Sequence, residues 1–312
     1  MDQYTLADKD RFELVADLVH ASRNGYVDIV RMLLELDPSR GVDPSANRNQ
    51  AFRDASMSGH VEIVRMLLEL DPSRGVDPSA RDNNALRYAS LNGHTEIVRM
   101  LLELDPSRGV DPSANNNQAI RYASNRGHPE IVRMLLEVDA FRGVDPSAND
   151  SYALRIASGN GHTKIVGMLL ELDLSRGVDP SARDNEVLRI AARLGFTEVM
   201  VLLLRLAPSR GVALSSLTIP VPTPVLNVIY RHNLLSVISE EIFSTYDWSI
   251  NLTEKSVHAL LQHRFNSFER WCREGNFHRL PHNVKDIVRE YASTRTRLYR
   301  KRKLPPQIDN YI

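Results

Sequence analysis

Between residues 258 and 282 the chain places His258, His263, Cys272, His278 and His282, five potential zinc ligands within 25 residues. The rhythm Cys272, His278, His282 is compatible with a metal, but structural zinc sites generally draw on two or more closely paired thiolates. Cys272 is the single cysteine. Solvated histidines are therefore the expected state, with no metal and no cofactor. A Cys272–histidine nucleophile pair would need an orienting acid and oxyanion donors beside it, and no glycine-rich oxyanion loop is evident there. Phosphate-loop and dinucleotide fingerprints are missing as well. No catalytic residue is expected.

The elements upstream of that cluster belong to a periodic pattern. Glycines recur at Gly25, Gly59, Gly93, Gly127, Gly161 and Gly195, and again at Gly41, Gly75, Gly109, Gly143, Gly177 and Gly211, both series stepping by 34 residues. In the copy around Gly93, Leu86, Ala89 and Ser90 share one face of a short helix, which the glycine ends by adopting a left-handed conformation. A second helix starts at the Thr95 slot. The next copy carries Pro129 there, and proline is tolerated only in a first turn. Ile97, Val98, Leu101 and Leu102 form its buried stripe, and Asp105-Pro106 stops it. Each pair has an apolar face it cannot bury alone, so neighbouring pairs must stack. The end copies differ: Tyr26 and Phe196 stand where inner copies have His60, His94, His128 and His162, and an extra helical segment precedes the first copy around Arg11 to Leu18.

These residues resemble the ankyrin repeat. GHTEIVRMLLE is similar to that family's GHxEIVxLLL segment and GVDPSA to its GADxNA segment, six times in phase over roughly residues 11–214. There are two departures. The family's TPLH is here NALR, QAIR or YALR, so Arg53, Arg87, Arg121, Arg155 and Arg189 occupy its histidine slot. DPSR is inserted after the second helix, and the glycine-bearing hairpin shrinks to pieces such as RDN, which predicts stunted fingers. The arginine series is expected to satisfy carbonyls or carboxylates of the neighbouring copy, with Glu69, Glu103 and Glu137 recurring in the same phase.

The resemblance implies an all-α, ankyrin-type helix-turn-helix solenoid that binds a protein partner on its concave face. Comparison between copies nominates the binding slots: Asp54, Tyr88, Tyr122 and Ile156 in one; Met57, Leu91 and Arg193 in a second; and Arg126 in a third. Exposed tyrosine and arginine are favoured interface anchors.

After Leu214 the period is lost. Residues 1–214 read as the array, 215–224 as a proline-rich linker, and 225–312 as a small helical bundle with amphipathic segments at 225–245, 253–274 and 282–303. Its last part, LPHNVKDIVREYASTRTRLYRKRKLPPQIDNYI, resembles the C-terminal boxes by which some ankyrin proteins join cullin-based ubiquitin ligases. Two versions stay open. In a SOCS-box version Val284, Val288 and Ala292 are knobs for an elongin-type adaptor, and LPPQIDNYI approximates a cullin segment. In a truncated F-box-like version, Val284, Ile287, Val288 and Tyr291 contact a Skp-type adaptor.

Composition agrees with a binding protein. The formal charge is zero over 312 residues, but residues 1–212 carry 25 Lys/Arg against 30 Asp/Glu and residues 213–312 carry 14 against 9. Neither half is basic enough for a dedicated nucleic-acid binder. The N-terminus lacks a signal-peptide pattern, and no apolar run approaches the roughly 18 residues of a membrane span. A single cysteine fits a reducing compartment. The expectation is a monomer in the cytoplasm, a host cell's included, with no nucleic acid and no membrane as partner; the basic run Arg295 to Lys303 keeps nuclear import open.

Overall fold

A computed structural model describes residues 10–36, 42–138, 142–206, 212, 285 and 289. It divides into two compact units, residues 1–179 and 180–312. The described secondary structure is entirely helical.

In the first unit five helix pairs follow one another. They are α1 (Arg11–Asn24) with α2 (Val27–Glu35), α3 (Ala46–Ser58) with α4 (Val61–Leu68), α5 (Ala80–Asn92) with α6 (Thr95–Glu103), α7 (Ala114–Arg126) with α8 (Pro129–Glu137), and α9 (Ala148–Gly159) with α10 (Thr163–Leu170). The expected boundaries hold. Gly25, Gly59, Gly93 and Gly127 cap the first helices in the left-handed conformation, and Pro129 is the first residue of α8.

The first helices α1, α3, α5, α7 and α9 form one row and the second helices another, and the first row packs much more closely. Side-chain size explains this. Ala51, Ala55, Ala85, Ala89, Ala119, Ala123, Ala153 and Ala157 are buried along the first row, whereas Ile63, Leu67, Ile97, Leu101, Ile131, Leu135, Ile165 and Leu169 fill the second. Helix separation follows the residues at the contact. A stack whose two rows differ in spacing curves with the tighter row inside, so the first-helix row is the concave one.

The expected shortened hairpin is not a hairpin. Each of α3, α5, α7 and α9 opens with three consecutive residues of positive φ: Asn47-Arg48-Asn49, Arg81-Asp82-Asn83, Asn115-Asn116-Asn117 and Asn149-Asp150-Ser151. The left-handed region costs an ordinary residue about 1–2 kcal/mol, least for Asn and Asp. The third residue of each turn offsets that cost across the stack. Its side-chain oxygen accepts the backbone N–H of Asp77, Asp111, Asp145 and Asp179 respectively, at 2.9, 2.9, 2.7 and 2.8 Å. No strand occurs among the described residues, so nothing projects as a β-finger.

The inserted DPSR segment also acts between repeats. Asp71, Asp105 and Asp173 each accept the backbone N–H two residues on, at 2.8 Å. At Asp71 that turn aims Arg74 back at the preceding repeat, where it donates to the Leu34 carbonyl at 3.0 Å; Arg142, at the equivalent position of a copy that reads DAFR, donates to the carbonyls of Leu102 and Val110 at 2.7 and 2.9 Å. Leu34 and Leu102 lie in the last turns of α2 and α6, where carbonyls lack intrahelical donors and a cation is favoured.

In the second unit, α11 (Ala182–Leu194) and α12 (Thr197–Leu206) repeat the local design, with Arg183-Asp184-Asn185 left-handed and Gly195 as the cap.

Candidate partner-binding face

The arginine series of the first helices is absorbed by the framework. Arg53 donates to the Arg48 carbonyl at 3.0 Å, Arg87 to that of Arg81 at 3.1 Å, Arg155 to those of Asp150 and Asn149 at 3.0 and 3.2 Å, and Arg189 to that of Arg183 at 3.1 Å. Carbonyls or carboxylates of the neighbouring copy are the expected partners; the carbonyls found belong to each arginine's own left-handed turn. The guanidinium carries five N–H donors in a fixed fork, so one side chain can serve two turn carbonyls, as Arg155 does. Arg87 also reaches the next repeat, donating to the Gln118 amide oxygen. Burial, then the nearby Arg81, holds the Arg53 pKa below the usual guanidinium value, with Asp54 opposing. Glu137 pairs instead with Arg133 on its own helix, at 2.6 Å.

The variable slots lie on the exposed side of the first row. Tyr88 and Tyr122 are half-buried and their rings meet at a tilt, with centroids 6.0 Å apart and planes 60° apart. Met57, Leu91 and Ile156 are also half-buried. Arg126, the last residue of α7, is exposed and makes no hydrogen bond or ion pair among the described residues. Asp54 departs from the expectation of a free binding group. It is 7 % exposed, and its Oδ2 accepts Arg23 Nε and Nη2 at 3.0 and 2.6 Å. The accessible member of that pair is Arg23. Arg193 is exposed on α11 of the second unit.

Tyr152 was missed by the sequence comparison. Its ring lies under two guanidiniums, 5.5 Å from Arg121 and 5.4 Å from Arg155. Its slot reads Gln50, Asn84, Gln118, Tyr152 and Glu186, and the lone aromatic among polar residues was the available clue.

The opposite, second-helix face is nearly constant. Glu62, Glu96 and Glu130 recur, as do Arg65, Arg99 and Arg133, with Lys164 and Gly167 departing in the next copy, and a shallow depression of about 320 Å³ between α6 and α8 has Arg99, Glu103, Arg133 and Glu137 among its lining. No group of three or more metal-binding side chains occurs among the described residues, and no described helix is long and apolar enough to cross a membrane. Val284, Ile287, Val288 and Tyr291, together with His258, His263, Cys272, His278 and His282, lie outside the described residues.

Stacked helix pairs with glycine caps, a tight inner row and a constant outer row define a class: helical repeat arrays built on neighbour contacts. Residues 73–150 match the family model of Ankyrin repeats (3 copies). Ankyrin repeats serve protein–protein interaction in general, which makes protein the class of partner for this segment. No curated protein sequence matches the chain.

Proposed function

We propose that the chain is a non-enzymatic scaffold that captures a partner protein on the concave first-helix row, through Tyr88, Tyr122, Met57, Leu91, Arg126 and Ile156, with Asp54 holding Arg23 at its edge. Arg193 of the second unit belongs to the same class of slot. The array is proposed to extend over residues 1–214, with a linker at 215–224. One observation carries the reading. Across the three copies at 61–68, 95–103 and 129–137 the second-helix slots Glu62/Glu96/Glu130 and Arg65/Arg99/Arg133 do not change, departing in the next copy at Lys164 and Gly167. Over the same three copies the first-helix slots change from Met57 to Leu91 to Asn125 and from Ser58 to Asn92 to Arg126. Residues that only hold the stack together have no reason to differ between equivalent positions.

Proximity labelling with the intact chain, compared with Tyr88→Ala/Tyr122→Ala, tests this. The paired substitution should remove the specific partners, and Arg65→Ala/Arg99→Ala on the other face should retain them. Equal partner sets in all three would overturn the reading.

A second role, substrate recognition for a cullin-type ligase, is supported by the LPHNVKDIVR segment and by the helical conformation of Lys285 and Arg289 within it. Val284, Ile287, Val288 and Tyr291 would then contact an elongin- or Skp-type adaptor. A chain ending at Leu280 should lose cullin, elongin and Skp components while keeping the partners of the concave row; retention of the ligase components would sink this role.

A further inference from the structure

We propose that the partner segment bound by the concave row is extended and carries an apolar side chain and a carboxylate about three residues apart, the apolar group on Met57, Leu91 and the Tyr88–Tyr122 pair and the carboxylate on Arg126. The proposal rests on the reading that this row binds the partner and gives that partner its chemistry.

Two charges occur in the variable slots of α3, α5, α7 and α9: Asp54 and Arg126. Asp54 is buried and matched by Arg23. Arg126 is exposed and unmatched among the described residues. The nearest acidic residue along the chain, Glu130, is taken by Arg133 at 2.5 Å, and the cations that act on it are Arg133, Arg99 and Lys164, with Arg126 not among them. Arg87 and Arg121 hydrogen-bond Gln118 and turn carbonyls at the left-handed-turn ends of their helices, away from Arg126, so the free charge beside Leu91 is that of Arg126. Of the carboxylates that might cancel it, Glu96 in the first turn of α6 pairs with Arg99 at 3.4 Å, and Asp82 and Asp150 on the left-handed turns and Asp77, Asp111 and Asp145 beside Ser79, Ser113 and Ser147 stand at the opposite ends of the first helices. About nine right-handed residues separate the two ends, roughly 13 Å at ~1.5 Å per residue. That exceeds the screening length of about 8 Å at physiological salt.

The spacing follows from the stack. Leu91 and Arg126 lie near the C-terminal ends of α5 and α7, neighbouring helices of the tight row. Packed helix axes are about 8–10 Å apart, and an extended chain advances about 3.3 Å per residue. Three residues span the gap.

Selection of a random dodecapeptide library on the intact chain tests the proposal, run in parallel on Arg126→Asn, Arg126→Glu and Tyr88→Ala/Tyr122→Ala. Asn occupies the equivalent slot at positions 92 and 160, so Arg126→Asn should fold unchanged, with matching circular dichroism as the check. The unaltered chain should enrich Asp or Glu three residues from Leu, Ile, Phe or Tyr. A synthetic member should bind about two- to fivefold more weakly when its Glu is replaced by Gln, the range an exposed ion pair supplies. Arg126→Asn should lose the acidic preference, and Arg126→Glu should turn it towards Lys and Arg. If the chain and Arg126→Asn select the same acidic content while Tyr88→Ala/Tyr122→Ala abolishes selection, the carboxylate inference falls and the concave-row reading stands. If no peptide depends on the tyrosines, both fall.

Discussion

The imidazole of His94 lies directly on Gly59: a β-carbon added at Gly59 would meet the ring at 2.6 Å, and the His94 Nε2 is 2.9 Å from the Met57 carbonyl. The same relationship joins Gly25 to His60, Gly93 to His128 and Gly127 to His162. Gly59 thus serves two ends, a left-handed cap at φ 86° and a floor for the next repeat's ring.

Gly59→Ala should accordingly destabilise the first unit by about 2–4 kcal/mol, combining left-handed strain with displacement of a packed ring. His94→Ala should cost about 1–2 kcal/mol through the lost hydrogen bond and packing. Urea unfolding of the double variant should show less than the sum, because removing the ring leaves room for the added methyl group.

The third left-handed residue is predicted to tolerate serine best. Asn83→Ser keeps an oxygen for the Asp111 N–H, as Ser151 does for Asp179, whereas Asn83→Ala adds strain and leaves that donor unmatched. Chemical denaturation should rank the cost Ser below Gly below Ala, with Ala about 2–3 kcal/mol. A serine variant as unstable as the alanine variant would count against the inter-repeat bond.

Arg142 makes the closest inter-repeat contacts of the connector arginines Arg74, Arg108, Arg142 and Arg176, at 2.7 and 2.9 Å, while Arg176 reaches its carbonyls only at 3.5 Å. Arg142→Ala should cost about 1–3 kcal/mol, in line with a charged hydrogen bond, and more than Arg176→Ala. Arg142→Lys should not restore the loss, since an ammonium cannot reproduce the two-armed fork. Thermal unfolding of the three variants decides the order.

Acid should weaken the connectors. Hydrogen bonds from Ser73 and Ser107 hold the Asp71 and Asp105 carboxyls below the ordinary aspartate value of 3.8. A carboxyl depressed on folding contributes stability above its unfolded pKa and loses it as pH falls through the folded one. Asp71→Asn/Asp105→Asn should therefore lose less thermal stability than the unaltered chain between neutral pH and values below 3.8, measured by calorimetry across that range.

Much of the fold was legible because the residues that set it act locally. Gly93 permits a left-handed cap, Pro129 marks a first turn, and Asp105-Pro106 ends a helix through restrictions carried by the residues themselves. The turn at Arg81-Asp82-Asn83 was not legible. Arginine and aspartate carry no strong preference for three left-handed residues in a row, and the conformation is held by partners elsewhere: Arg87 on the turn carbonyls and the Asp111 N–H on Asn83.

The candidate face divides in the same way. Variation between copies located the slots of Tyr88, Leu91 and Arg126 from the sequence alone, because a period of 34 residues makes positions comparable within one chain. The sequence could not separate Asp54 from Arg126, since both are charged residues in variable slots. Only the packed structure decides that Arg23, 31 residues earlier, neutralises Asp54, while nothing described approaches Arg126. Charge belongs to a residue's chemistry, but whether that charge is free depends on distances that only the stacked repeats set.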